Sequence, residues 1–368
     1  MCTKLHMNEI IATLILTHTP FLGPATTSAL LAHFGQASCV VQALSNNHPT
    51  PVPLKQASLE YLRTYTEQKS WQQDLMEAER AGIQLIPYTS TQYPQRLRAI
   101  HDAPPLLYVQ GSLPDFTIPW ITIVGTRTAT LQGKDLTQHF AKALASKCIV
   151  VSGLARGVDT AAHTGALLTG TTVAVIGSGI SCLYPRENTG LAAKIVERGA
   201  VISECAMKEP PSRFSFPQRN RILSALSDAL LLTEAPEKSG AMLTMQLGLS
   251  HKKPLFALPG KAGSPYTQGN HLLIKQGLAK LIDHPEEILH ALGHTKQPTA
   301  PQKKSVPDLF STQEEKKIYA LLSESEMSLE ELSEQIPLPV SALQVTLTKL
   351  MLKKTVLEHP GKRYTIVC

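Results

Sequence analysis

Residues 120–179 read WITIVGTRTATLQGKDLTQHFAKALASKCIVVSGLARGVDTAAHTGALLTGTTVAVIGSG. Three short apolar runs stand out: Trp120–Val124, Cys148–Ser152 and Thr172–Ile176. The first two are separated by Leu131–Ser146, whose apolar residues recur with the period of an amphipathic helix. Runs of Val, Ile and Ala without polar alternation are what strands buried on both faces require. Their regular spacing with helical segments between them predicts a parallel sheet.

Further along, Ala200–Ser203, Ala229–Thr233 and Pro254–Leu258 repeat the strand signal, with a helical stretch at Gly190–Arg198. The expected fold class is α/β, a Rossmann-like, doubly wound and mostly parallel sheet. Upstream, 1–85 reads as an N-terminal helical domain, with amphipathic runs at Ile10–Leu16 and Ser28–Phe34 and a glycine stop after Leu75–Gly82. A connector rich in turn and extended signals follows, with Tyr93-Pro94, Ala103-Pro104-Pro105 and Leu113-Pro114. The core is expected to span 86–293 and a proline- and lysine-bearing linker 294–308. In 309–368, Thr312-x-x-Glu315, Ser328-x-x-Glu331 and Ser341-x-x-Gln344 each resemble a capping box. Thr355–Leu357 and Arg363–Val367 then flank a hairpin turn, completing a winged-helix outline.

Composition narrows the class of protein. The chain has 368 residues and a formal charge of +6. Residues 1–100 hold 7 basic against 6 acidic side chains, 101–309 hold 21 against 15, and 310–368 hold 7 against 8. The basic excess belongs to the middle of the chain, which permits polyanion binding without requiring it. The six cysteines are scattered with no C-x-x-C pair, which argues against a disulfide framework and a zinc site. No metal is expected. No apolar run reaches membrane-spanning length and no secretory leader pattern is seen, so a cytoplasmic protein with no membrane partner is expected. The dinucleotide fingerprint and the Walker A sequence are both missing, so no cofactor is expected.

Ligands of an open parallel sheet bind outside the carboxyl ends of its strands. At those positions stand Gly125-Thr126-Arg127, then Ser152-Gly153 followed by Arg156, Gly157, Asp159 and His163, then Gly177 and Gly179. Glycine admits close backbone approach, and arginine grips phosphate through paired hydrogen bonds. Phe214-Ser215-Phe216-Pro217-Gln218-Arg219-Asn220-Arg221 leads into a helix read at Ile222–Leu226. It joins cations to flat rings, the combination that single-stranded nucleic acid needs.

These motifs, with Tyr184-Pro185, Ser203-Glu204, Ser239-Gly240, Pro259-Gly260 and Gly269-Asn270, stand in the order that resembles the DprA/Smf family of DNA-processing proteins. The likeness covers about 90–290. It implies single-stranded-DNA binding and protection, loading of the RecA recombinase during DNA uptake and recombination, a homodimer, and no enzymatic activity. It assigns DNA contact to Arg127, Phe216, Gln218, Arg219, Asn220 and Arg221, and to Gly125, Thr126, Ser152, Gly153, Arg156, Gly157, Ser239 and Gly240. Asp159, His163, Gly177 and Gly179 are expected to shape the pocket. Thr126 replaces the family's usual serine and keeps the hydroxyl. The stretch Thr19–Ala25 resembles a helix-hairpin-helix in which Phe21 replaces the first glycine, so a structural or interaction role is expected there. The winged helix carries Lys349, Lys353 and Lys354 but a net negative charge, leaving protein contact and weak DNA binding equally open. The alternative is a phosphoribohydrolase-like nucleotide enzyme, with Glu204 or Glu234 as acid or base.

Overall fold

The computed structural model describes residues 8–293, 312–353 and 355–366. The linker expected at 294–308 lies outside them. The described residues fall into two compact units, 8–293 and 312–366.

The first unit opens with five helices: α1 (Glu9–His18), α2 (Pro24–Phe34), α3 (Ala37–Ser45), α4 (Gln56–Arg63) and α5 (Lys69–Arg80). It continues through β1 (Gln84–Pro87), α6 (Gln95–Arg98), β2 (Leu106–Gly111), β3 (Trp120–Val124), α7 (Leu131–Ala145), β4 (Ile149–Ser152), α8 (Val158–Ala166) and β5 (Thr172–Val175). Then come α9 (Thr189–Arg198), β6 (Ala200–Ser203), α10 (Ser215–Leu226), β7 (Ala229–Leu232), α11 (Gly240–Ser250), β8 (Leu255–Ala257), α12 (Gln268–Lys275), β9 (Lys280–Leu281) and α13 (Pro285–Ala291).

The strands form one nine-stranded sheet in the order β1-β2-β6-β5-β4-β3-β7-β8-β9. From β6 to β9 every pairing is parallel, while β1–β2 and β2–β6 are antiparallel. All six strands read from the apolar runs are present within one residue. The connector is more than turns: Leu106–Gly111 runs straight out of Pro104-Pro105 as an edge-side strand and is buried along Leu106, Leu107, Tyr108 and Val109. Proline lacks the ladder donor, so it stands before the strand and not within it.

Successive side chains of a strand leave opposite faces. Ile121, Ile123 and Val150 pack with Phe140 and Leu144 of α7 and Ala162 of α8. Trp120, Val124 and Val151 pack on the other face with Ile222, Leu226 and Met245 from α10 and α11. The N-terminal helices join the same body: Leu14 of α1 and Ala78 of α5 share a core with Tyr108 and Val201. Asp74 of α5 pins that joint. It accepts from Met207 N at 2.7 Å and from the Tyr108 hydroxyl, and lies 3.0 Å from His18 Nε2.

The second unit comprises α14 (Gln313–Glu324), β10 (Met327–Ser328), α15 (Leu329–Gln335), α16 (Val340–Leu352), β11 (Val356–His359) and β12 (Arg363–Ile366). Its three strands pair antiparallel in the order β10-β12-β11. Thr312 caps α14, and Ser328 and Glu331 form a reciprocal capping box on α15. The third expected box is absent. Pro339 takes the cap position of α16 and Ser341 falls inside the helix, because proline's fixed φ suits the entry to a helix.

Candidate nucleic-acid interface

The parallel strands place a cleft at one position. The chain winds from β3 through β4 and β5 to β6, then returns to lay β7 on the other side of β3. The loops leaving β3 and β7 therefore part in opposite directions, which opens a crevice at the carboxyl ends of those strands. A cavity of about 500 Å3 lies there, between the loop after β3, the first turns of α8 and α10, and the start of α11.

Among the residues expected from sequence, Gly125, Thr126, Arg127, Asp159, Phe216, Arg219, Asn220, Ser239 and Gly240 all line this cavity. Arg127 is exposed and its guanidinium lies 4.9 Å from the centre of the Phe216 ring. That leaves a cation beside a ring face, with no acidic partner among the described residues. Two further cations, Arg213 and Lys238, also line the cavity and are exposed. Sequence reasoning missed both, although each stands beside a quoted motif. The signal was the loop around the motif and not the motif alone.

At the mouth of α11, Ser239 Oγ accepts from Met242 N at 3.4 Å and caps the helix. A Cβ on Gly240 would meet nothing within 4 Å, so the space before this helix start is open. The amides of a first turn have no acceptor inside the helix and favour an anion. Asn220 Nδ2 donates to Gly240 O at 3.4 Å and ties this helix to α10.

The helix read at Ile222–Leu226 begins earlier, at Ser215. Pro217 is its third residue, where a missing N–H costs no intrahelical bond. This makes the Phe216–Arg221 run helical, and helical spacing sends its arginines in different directions. Arg219 is 4 % exposed and lines the cleft from beneath, over Gly153. Its Nη1 donates to Val175 O at 2.5 Å, while Nε has no partner among the described residues. Burial is the main cause lowering its pKa, to about 10, opposed by the charge of Asp159. Arg221 lies outside the cleft lining, where Nη1 and Nη2 each donate to Glu204 at 2.6 Å and Nε lies 3.1 Å from Asp102.

Other expected contacts also take structural places. Arg156 forms a two-pronged pair with Glu187, both bonds at 2.7 Å, and does not line the cleft. Gln218 is exposed outside it. Ser152 Oγ donates to Ile123 O at 2.7 Å, joining β4 to β3. The glycines serve close packing. A Cβ on Gly153 would lie 1.9 Å from Arg219 Nη1, one on Gly157 2.4 Å from Thr126 O, and one on Gly179 2.1 Å from Ala206 O. Gly177 has Ser215 O at 3.1 Å, and Gly125 meets Val158 at 2.4 Å. Gly157 also has φ +74°, a conformation few other residues adopt.

Asp159 accepts from Ala155 N at 3.2 Å, and burial raises its carboxyl above the usual range. His163 is fully buried, with Nδ1 2.8 Å from Thr172 Oγ1. Burial, then the nearby Arg219 charge, pushes its pKa down to about 3, so the ring is neutral at working pH. The two glutamates of the enzymatic alternative are both engaged. Glu204 holds Arg221, and Glu234 accepts from Thr130 N at 2.8 Å and Thr130 Oγ1 at 2.9 Å at the start of α7. What the cleft offers is three exposed cations, a ring face and an open helix start. Those features suit a ligand that is anionic and flat.

Comparison with known proteins places the chain in a class that handles DNA. Residues 84–293 match the DNA recombination-mediator protein A family, and residues 295–362 match the DprA winged helix domain. The chain belongs to the DNA recombination-mediator protein A family. It is 40 % identical over 227 residues to Protein Smf of Escherichia coli, covering 61 % of this chain and 60 % of that protein. It is 38 % identical over 217 residues to the DNA processing protein DprA of Bacillus subtilis, covering 57 % of this chain and 72 % of that one. The solved structure of DprA from Streptococcus pneumoniae matches with a TM-score of 0.67 and 27 % identity, covering 78 % of this chain and 98 % of that one. A structure of DprA from Helicobacter pylori, described as giving insight into its single-stranded DNA binding mode, matches with a TM-score of 0.53 and 30 % identity. It covers 58 % of this chain and 98 % of that one. Among the described residues, no helix is long and apolar enough to cross a membrane.

Proposed function

We propose that the chain binds single-stranded DNA in the cleft between the ends of β3 and β7, within a binding core spanning 86–293. It protects the strand there and helps load the RecA recombinase onto it during DNA uptake or recombination, acting in the cytoplasm as a homodimer. One observation carries the reading: Arg127, with its guanidinium beside the Phe216 ring, stands in a cleft that also holds Arg213 and Lys238. Cations neutralise phosphate and a ring face takes a base, which together bind single strands with little sequence preference. The Helicobacter relative, whose structure concerns single-stranded DNA, supports the choice of ligand. Binding uses no reaction, and Glu204 and Glu234 have structural partners in place of a substrate. The test is fluorescence anisotropy with a labelled dT20 oligonucleotide across a salt series. Arg127→Ala is expected to weaken binding on the order of tenfold, as befits a charge-assisted phosphate contact with an adjoining stack. Unchanged affinity in that variant would remove the cleft from the account.

A further inference from the structure

Beside the cleft lies a second cavity, of about 820 Å3, that the reading above does not use. Its walls include the apolar residues Ile83, Leu183, Met207 and the pair Pro210-Pro211. Among its lining residues the one formal charge is that of Arg186, and no Asp or Glu lines it. Arg186 is exposed and its side chain has no hydrogen bond or ion pair among the described residues. An unneutralised guanidinium at a cavity with apolar walls is equipped for a phosphate attached to a flat ring.

Two features join the walls of this cavity to those of the cleft. Pro210 and Pro211 line the cavity, while Arg213, Phe216 and Pro217 of the same segment line the cleft. The ring of Tyr184, on the cavity side, lies 5.9 Å from that of Phe216 on the cleft side, at 54°. Tyr184 is 42 % exposed, so the ledge between the cavities carries accessible aromatic surface, with Arg127 beside its far end. Single-strand sites cover several nucleotides and use stacking between charged contacts.

We propose that the cavity beside Arg186 is a second nucleotide subsite, reached by a single strand that leaves the cleft and crosses the Phe216–Tyr184 ledge. Its base side rests against the proline and Leu183 wall, and its phosphate faces Arg186. The assignment rests on the cleft being the primary DNA site.

Cys182 lines the cavity as a half-buried thiol and supplies the readout. The full chain is treated with iodoacetamide alone and with saturating dT10, and the modified peptides are quantified by mass spectrometry. Half-buried Cys39 on α3 is the internal reference. The expected result is at least fivefold slower alkylation of Cys182 with dT10, no change at Cys39, and about fivefold weaker dT10 binding in Arg186→Ala. Ala193→Trp, which places a bulky ring at an exposed lining position, is expected to weaken dT10 binding similarly. If dT10 binds, is weakened by Arg127→Ala, and leaves Cys182 alkylation and the Arg186→Ala affinity unchanged, the subsite is overturned and the cleft stands. If dT10 does not bind, the cleft reading fails and the subsite with it.

Discussion

The cleft at the end of β3 and the exposed face of α16 each have the outline of a DNA reader. They use their charges in opposite ways. In the cleft, Arg127, Arg213 and Lys238 are exposed without acidic partners among the described residues, beside a ring and an open helix start. On α16, the third helix of the winged-helix unit, Lys349 is exposed, but Lys353 Nζ donates to Glu315 at 2.9 Å. Val345 is 55 % and Leu352 79 % exposed on the same helix, and Arg363 on β12 is paired with Glu326. Major-groove reading needs cations free to meet phosphates. Among the described residues, the cleft keeps three exposed cations with no ion pair, while around α16 Lys353 and Arg363 are each held by a carboxylate and Lys349 is not.

That contrast can be broken in three places. The largest expected effect is from Phe216→Ala, which removes the stacking face and the surface beside Arg127. Base–aromatic stacking contributes roughly 1–3 kcal/mol per base, so dT20 affinity should fall on the order of tenfold. Circular dichroism should stay at wild-type values, since Phe216 is half-buried at a helix start. A smaller effect is expected from Lys238→Ala, about threefold at moderate salt. Its clearer mark is on the salt dependence: losing one phosphate contact should flatten the slope of log affinity against log salt by about 0.7. A drop in affinity with the slope unchanged would mean that Lys238 does not meet a phosphate. The smallest effect is from Lys349→Ala, for which less than a twofold change on dT20 or on duplex DNA is expected. A tenfold loss there would move DNA binding to the winged helix and reverse the comparison.

The sheet was largely legible because its strands are buried on both faces and the residues say so. Ile121, Val150 and Leu231 pack on one face and Val173 on the other, so the strands are apolar without alternation. β1 and β9 were not legible. Gln84–Pro87 is four residues long with only its last two buried, and Lys280–Leu281 is exposed at the far edge. Edge strands carry too little apolar pattern to announce themselves.

For the candidate site, the strand-end position was legible but the allocation of charge was not. Arg127 and Phe216 could be placed because the strand-end rule depends on topology, which the apolar runs supply. Arg156, Arg219 and Arg221 looked equivalent to Arg127 as residues. The first pairs with Glu187, 31 residues on, and the last with Glu204 and Asp102, 17 and 119 residues away. Arg219 went beneath the cleft because Gly153 leaves space for it. A sequence shows a cation, while its neutralising partner is a fact of the folded chain. The same reason explains the strand-end glycines, whose missing Cβ atoms are spent on loop packing except at Gly240.

Where the strand lies on the protein can be read directly. The full chain is irradiated with a dT20 oligonucleotide carrying iodo-deoxyuridine, digested, and the adducts are mapped by mass spectrometry. Adducts are expected in the peptide containing Phe216, from the cleft between β3 and β7. Adducts concentrated in 340–353, on the third helix of the winged-helix unit, would contradict that placement.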